Sequence, residues 1–259
     1  MSDLPRTQAE FENQSYLSHL VELRRRLVRS AVAVIIAFIG LVYWAPLIFR
    51  LLARPLMQNF PEGGKLIVTD VTGSFFVPMK VTMLVAFLIA LPFVLYEIWA
   101  FIAPGLYRSE KSWVGPLIGM SYALFLCGMA FAYFLVFPTI FRVMAHYNAP
   151  LGAEMTTDID KFLGFAMTMF VAFGVTFEVP IVVVMLVHAG VVSVAKLRQI
   201  RPYVIVGAFV IAAAVTPPDV LSQLILAVPL ILLYEAGLIA ARLMTASAPR
   251  DTPAHFDME

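Results

Sequence analysis

The stretch FEVPIVVVML, residues 177–186, places one glutamate among side chains that avoid water. It belongs to an apolar run over 162–187, 26 residues in which Glu178 is the only ionisable side chain. A run of that length reads as a transmembrane helix, which needs about 20 apolar residues to cross a hydrocarbon core of about 30 Å. A membrane strand would instead alternate apolar and polar over about ten residues. An isolated carboxylate is costly in hydrocarbon, so Glu178 is expected to face protein, water or a partner's polar group.

The rest of the chain agrees. Of its 259 residues, 61% are hydrophobic and 14% charged, where a soluble domain has roughly 45–50% and about 25%. With a mean hydropathy of +0.88, these side chains cannot all hide in one water-soluble core. Helices satisfy their own backbone hydrogen bonds in lipid, so the fold class is an all-α integral membrane protein. A net charge of +1 argues against a nucleic-acid partner. The single cysteine, Cys127, excludes an internal disulfide and reads as a small apolar packing residue. Histidines at 19, 146, 188 and 255 lack metal-ligand spacing, and no GxxxxGK[ST] phosphate loop occurs, so neither an enzyme nor a cofactor is expected. Some thirty mostly polar residues precede the first apolar run, so no cleavable signal peptide is expected.

Hydropathy predicts six spans, near 28–49, 78–99, 114–138, 162–187, 203–215 and 220–234. An even count puts both termini on one side. Of the 18 basic residues, 12 fall on that side and 6 on the other, which predicts cytoplasmic termini. The last two spans, at 13 and 15 residues, would reach only about 20–22 Å, so a locally thinned bilayer is expected beside them. Pro46, Pro92, Pro116, Pro180 and Pro229 each remove a backbone donor, which predicts kinked helices forming a curved, concave wall. The expected organisation is a single membrane domain: an amphipathic N-terminal segment over 1–27, a six-span core over 28–241 and a tail over 242–259.

Two polar segments stand out. In HLVELRRRL, residues 19–27, Leu20, Leu23 and Leu27 make an apolar helical stripe. His19, Glu22, Arg26 and Arg29 make a second stripe, expected to face water or headgroups on a helix at the membrane surface. Glu22 and Arg26 have the spacing of an ordinary i,i+4 ion pair. The second segment, FIAPGLYRSEKSW over 101–113, turns at Pro104-Gly105 and carries Glu110 between Arg108 and Lys111.

Together these pieces resemble the TatC family, the multi-spanning subunit of the twin-arginine protein translocase. The resemblance rests on HLVELRRRL (19–27), TDVTGSFFVPMK (69–80), WAFIAPGLYRSEK (99–111) and GMAFAYFLVFP (128–138). FGVTFEVP (173–180), RPYVIVGAFV (201–210) and TPPDVLSQ (216–223) continue it in the family's order. It implies a receptor for signal peptides bearing two adjacent arginines, with Glu22 and Glu110 as the recognising carboxylates. A carboxylate can accept the planar guanidinium fork bidentately, and a lysine cannot copy that geometry. Arg24 and Arg26 are implied to shape the site, and Phe101, Pro104 and Leu106 to set its loop. Pro55, Tyr133 and Asp219 match positions implied in shape and assembly. Thr216 and Gln223 match positions where the single-span partners TatA and TatB are implied to dock, although Ala213 is smaller than some relatives' residue there. Gly73-Ser74 likewise departs from the Ser-Pro of some relatives. Self-association in a larger complex of the bacterial inner membrane is implied too.

The resemblance also makes Glu178 a membrane-embedded polar contact on a partly wet face. The alternative is a proton-coupled small-molecule carrier with Glu178 as the coupling acid. A carrier should show two related halves, and no internal repeat relates 28–138 to 162–241.

Overall fold

Helix forms wherever an apolar run lacks a breaker, and the breakers set the joints. The computed structural model describes residues 8–58, 65–70, 72–102, 114–148, 156–215 and 220–246. In chain order the helices are α1 (Gln8–Leu41), α2 (Ala45–Gln58), α3 (Gly73–Ile102), α4 (Val114–Phe131) and α5 (Phe137–Asn148). They continue with α6 (Ile159–Phe177), α7 (Val179–His188), α8 (Val194–Gln199), α9 (Arg201–Val215) and α10 (Val220–Ala246). Two short strands, β1 (Lys65–Ile67) and β2 (Thr156–Asp158), a 3-10 turn over Val42–Trp44 and a π-helical turn over Ala132–Val136 complete the described elements. Among the described residues, five stretches are long and apolar enough to cross a membrane: Leu20–Leu52, Gly73–Ile102, Val114–Arg142, Ile159–His188 and Gln223–Met244. Arg201–Ala214 is a shorter apolar helix. The protein is an all-α membrane protein.

The chain forms two compact units, Met1–Val175 and Thr176–Glu259. In the first, α1 lies along α3 in the most extensive helix pairing among the described residues. Trp99 is buried on α3 and donates its indole N–H to Ser121 Oγ of α4 at 2.9 Å. Helices α4 and α6 meet at glycines. A Cβ on Gly128 would lie 2.4 Å from the carbonyl oxygen of Phe173, and one on Gly174 would lie 2.5 Å from the Phe125 ring. Phe137 stands among Phe141, Phe165 and Phe170, so aromatic edges fill the space beside this close approach.

Strands β1 and β2 pair in parallel, Lys65 opposite Thr156 and Ile67 opposite Asp158. The clip is reinforced by Asp158, which accepts from the Thr69 amide at 2.9 Å and from the Thr69 hydroxyl. Those donors favour the ionised form and hold the Asp158 pKa down at about 2. Nearby, Lys80 Nζ lies 2.7 and 2.9 Å from the two carboxylate oxygens of Asp160.

In the second unit, α7 packs on α10. A Cβ on Gly237 would lie 2.9 Å from Pro180 Cα, so the glycine permits that approach. Val183, Leu197, Tyr234, Leu238 and Ala241 form the core, and the Tyr234 hydroxyl donates to the Leu197 carbonyl at 2.7 Å. Helix α7 is closed by Gly190, whose φ of +69° suits only a residue without Cβ.

Several expectations change. The N-terminal segment over 19–27 is not a separate surface helix: α1 runs 34 residues without a break, because no Gly or Pro interrupts it before Gly40. The last span does not end at Tyr234. Helix α10 extends over 27 residues, since Glu235 is neutralised by an ion pair with Arg201 and does not stop the helix. Only α9, with 15 residues, stays short, so just one arm of the expected short hairpin is short. Pro46, Pro116 and Pro180 sit in first turns, where no N–H is needed, while Pro92 and Pro229 lie inside helices. Cys127 points outward rather than packing.

Gly128→Ala is expected to lower stability by about 1–3 kcal/mol through overpacking against Phe173. Gly119→Ala on the same helix, with nothing within 4 Å of its Cβ, should leave the thermal unfolding midpoint in detergent nearly unchanged.

Candidate functional site

The polar stripe of α1 meets a carboxylate on α3. Glu97 is the only charged side chain between Lys80 and Arg108, and its side chain is 4% exposed. Sealing an ion there is costly unless an opposite charge comes with it. Arg26 supplies that charge: its Nη1 donates to Glu97 Oε2 at 3.0 Å. Arg29 adds a looser contact, 3.7 Å from Glu97 Oε1.

Arg26 also reaches one turn back along α1. Its Nε and Nη2 donate to Glu22 Oε1 at 3.0 and 2.6 Å. One guanidinium therefore bridges a buried and a half-exposed carboxylate, using three of its five N–H donors. Spacing explains the alignment, since residues 22, 26, 29 and 30 fall on one helical face. Ser30, the next residue on that face, is buried. Leu20, Leu23 and Leu27 are exposed on the other side. Arg26 and Ser30 thus turn the stripe toward α3, while Glu22 and Arg29 stay half-exposed and exposed at its edges, and the leucines take the outer surface. Hydrocarbon reverses the soluble-protein rule, because leucine loses nothing there whereas Glu97 needs its counter-ions.

Of the residues singled out in sequence, Glu22 and Arg26 are brought together, and Arg24 is exposed on α1. Phe101 is half-buried in the last turn of α3. Glu110, Pro104 and Leu106 lie outside the described residues, as do Thr216 and Asp219. Pro55 falls within α2. Tyr133 sits in a π-helical turn over Ala132–Val136, its ring 4.8 Å from that of Phe134. That wide turn precedes Pro138, which has no N–H to offer the carbonyl of Phe134. Gln223 is half-buried in the first turn of α10.

Glu178 is buried at the turn between α6 and α7. Pro180 cannot donate to the carbonyl four residues back, so the ladder breaks and restarts, with Val182 N–H donating to Glu178 O at 3.0 Å. Glu97 was missed in sequence, although it carried the same signal as Glu178: one charge inside a continuous apolar helix.

A model of the family described as Sec-independent protein translocase protein (TatC) matches residues 18–229. The chain belongs to the TatC family. The TatC of Escherichia coli is 47% identical over 231 residues, covering 89% of both chains. That of Aquifex aeolicus is 39% identical over 228 residues, covering 88% of this chain and 94% of its own. A crystal structure described as the twin-arginine translocase receptor TatC superposes with a TM-score of 0.77 at 39% identity, covering 88% of this chain and 99% of that one. The bridge from Glu22 through Arg26 to Glu97 lies inside the stretch that the TatC family model matches.

Arg26→Ala should cost roughly 3 kcal/mol, because it strands a buried carboxylate. Arg29→Ala, removing a guanidinium 58% exposed, should cost less than about 1 kcal/mol. Chemical unfolding of the two variants in detergent would measure the difference.

Proposed function

We propose that this chain is a twin-arginine signal-peptide receptor and core assembly subunit of a protein translocase that exports folded proteins. Its setting is the bacterial cytoplasmic membrane, with both termini cytoplasmic, as the distribution of basic residues favours. The observation that carries the reading is Glu22. This half-exposed carboxylate already accepts a guanidinium through two donors, so it has the geometry to read an arginine brought by a peptide. Glu110, from the loop after α3, would supply the second carboxylate, with Phe101, Pro104 and Leu106 setting that loop and Arg24 and Arg26 shaping the site. Reading a pair of arginines requires no bond making, so the role is binding rather than catalysis.

Thr216, Gln223 and Asp219 would take up single-span partners of the TatA and TatB type, with Pro55 and Tyr133 supporting assembly, and further copies of this chain would complete the complex. Energy would come from the proton gradient. Glu178, buried beside the helix restart, would offer a polar contact within the membrane. Membership of a translocase family favours this reading over a proton-coupled carrier.

Glu22→Ala is expected to weaken crosslinking to a paired-arginine peptide by roughly tenfold, the scale of a lost charge-assisted hydrogen bond, with little change in membrane insertion. Glu110→Ala should act alike, and undiminished binding in the double variant would refute the assignment. At Glu178, glutamine should retain transport and alanine reduce it; equal loss in both would instead favour an obligate proton carrier.

A further inference from the structure

The receptor reading leaves one group unused. Glu97 touches no solvent-facing surface of consequence, yet it holds the arginine that occupies Glu22. At rest, two carboxylates (Glu22 and Glu97) and two guanidinium groups (Arg26 and Arg29) sum to zero charge. An incoming arginine must approach from the exposed side. Glu22 is the carboxylate it meets, at 45% exposure, whereas Glu97 at 4% is sealed. The ligand must therefore displace Arg26 from Glu22. Arg26 then needs another partner, or its charge is stranded with 21% of the side chain exposed.

We propose that Glu97 is a positioning carboxylate of the arginine-reading site, holding Arg26 as a built-in stand-in for the ligand's arginine and retaining it once that ligand takes Glu22. The geometry makes the exchange inexpensive. Arg26 uses Nε and Nη2 on Glu22 and a different nitrogen, Nη1, on Glu97. The first two bonds can be given up while the third stays. Glu97 thus competes with Glu22 for Arg26, and that competition keeps Glu22 available. With Glu97 present the four groups of the empty receptor sum to zero charge, and Arg26 covers the Glu22 anion until a guanidinium displaces it. Glu97 does not touch the peptide; it acts through Arg26.

This inference rests on the receptor reading of Glu22, and the test separates the two. The full chain, reconstituted in detergent or nanodiscs, is titrated with a labelled peptide carrying paired arginines and with its paired-lysine counterpart. Glu97→Gln leaves Arg26 to Glu22 and should weaken paired-arginine binding by roughly fivefold, within the range of coupling between contacting residues. Adding Arg26→Gln removes the internal competitor, so Glu97→Gln with Arg26→Gln should bind roughly fivefold tighter than Glu97→Gln alone. A purely structural Glu97 would make binding follow the thermal unfolding midpoint of each variant, whereas the proposal expects binding to recover in the double variant whether or not that midpoint does. Unaltered binding in Glu97→Gln, or no recovery in the double variant, overturns the inference. Should Glu97→Gln fail to fold, the charge-balanced double variant decides: the proposal expects it to bind at least as tightly as the original chain, since Glu22 then has no Arg26 to give up, and weaker binding refutes it. If the original chain fails to distinguish arginine from lysine peptides, the receptor reading itself falls. Discrimination without coupling between positions 26 and 97 sinks only the role given to Glu97.

Discussion

A carboxylate sealed between two helices has to be neutralised by the protein, and Glu97 imposes that requirement on everything around it. Its side chain has almost no access to water, so α1 must present cations toward α3. That demand fixes the rotation of α1 about its own axis. Turned by half a circle, the helix would bring Leu20, Leu23 and Leu27 against Glu97 and send Arg26 and Arg29 outward. The ion pair contributes little as an isolated attraction, because desolvation offsets much of the Coulomb energy. Its weight lies in the cost of every arrangement that lacks it. Since Glu22 shares a helical face with Arg26, the same rotation sets where Glu22 stands.

The membrane class and most helices were legible in sequence because hydrocarbon leaves so little choice. Apolar runs over 78–99, 114–138 and 162–187 became α3, α4 with its continuation, and α6 with α7. What sequence misjudged was direction. The stripe containing His19, Glu22, Arg26 and Arg29 reads as polar and is expected to face water or headgroups, whereas Arg26 turns to α3. Knowing which way it turns required knowing that Glu97 waits on another helix 71 residues away in sequence. The end of α10 failed for a related reason. Glu235 looked like the edge of the bilayer, but Arg201, 34 residues earlier, neutralises it. Charge read one residue at a time marks a boundary; charge read in pairs can continue a helix.

Backbone approach supplies the second layer of order. Interfaces in lipid gain little from excluding apolar surface, so they depend on contact distance. Gly128 against Phe173 and Gly237 against Pro180 both bring main chains closer than any Cβ would allow. The large aromatic residues then fill the flanks in the first unit, with Phe137 and Phe173 almost fully buried. Proline plays a different part from the one composition suggests. Three of the five singled out begin a helical segment rather than bend one, so they set joints, and joints are where polar backbone becomes available.

Glu97 and Glu178 show why an identical sequence signal can carry different consequences. Each is a lone acidic residue in a long apolar run, and each is buried. Glu97 lies within the continuous helix α3, a full turn beyond Pro92, so its partners are side chains from a neighbour, and α1 provides two. Glu178 lies at a break made by Pro180, where backbone groups are released from the regular ladder and the helix starts again at Val179. A carboxylate in the first setting is bound to a fixed charge pattern and can influence recognition only by what it does to Arg26. One in the second setting sits beside backbone whose hydrogen bonding is already irregular, which suits a group that meets polar atoms within the membrane. The difference follows from where proline sits: Pro180 is two residues downstream of Glu178 and restarts the helix there, whereas Pro92 is five residues upstream of Glu97 and leaves α3 continuous.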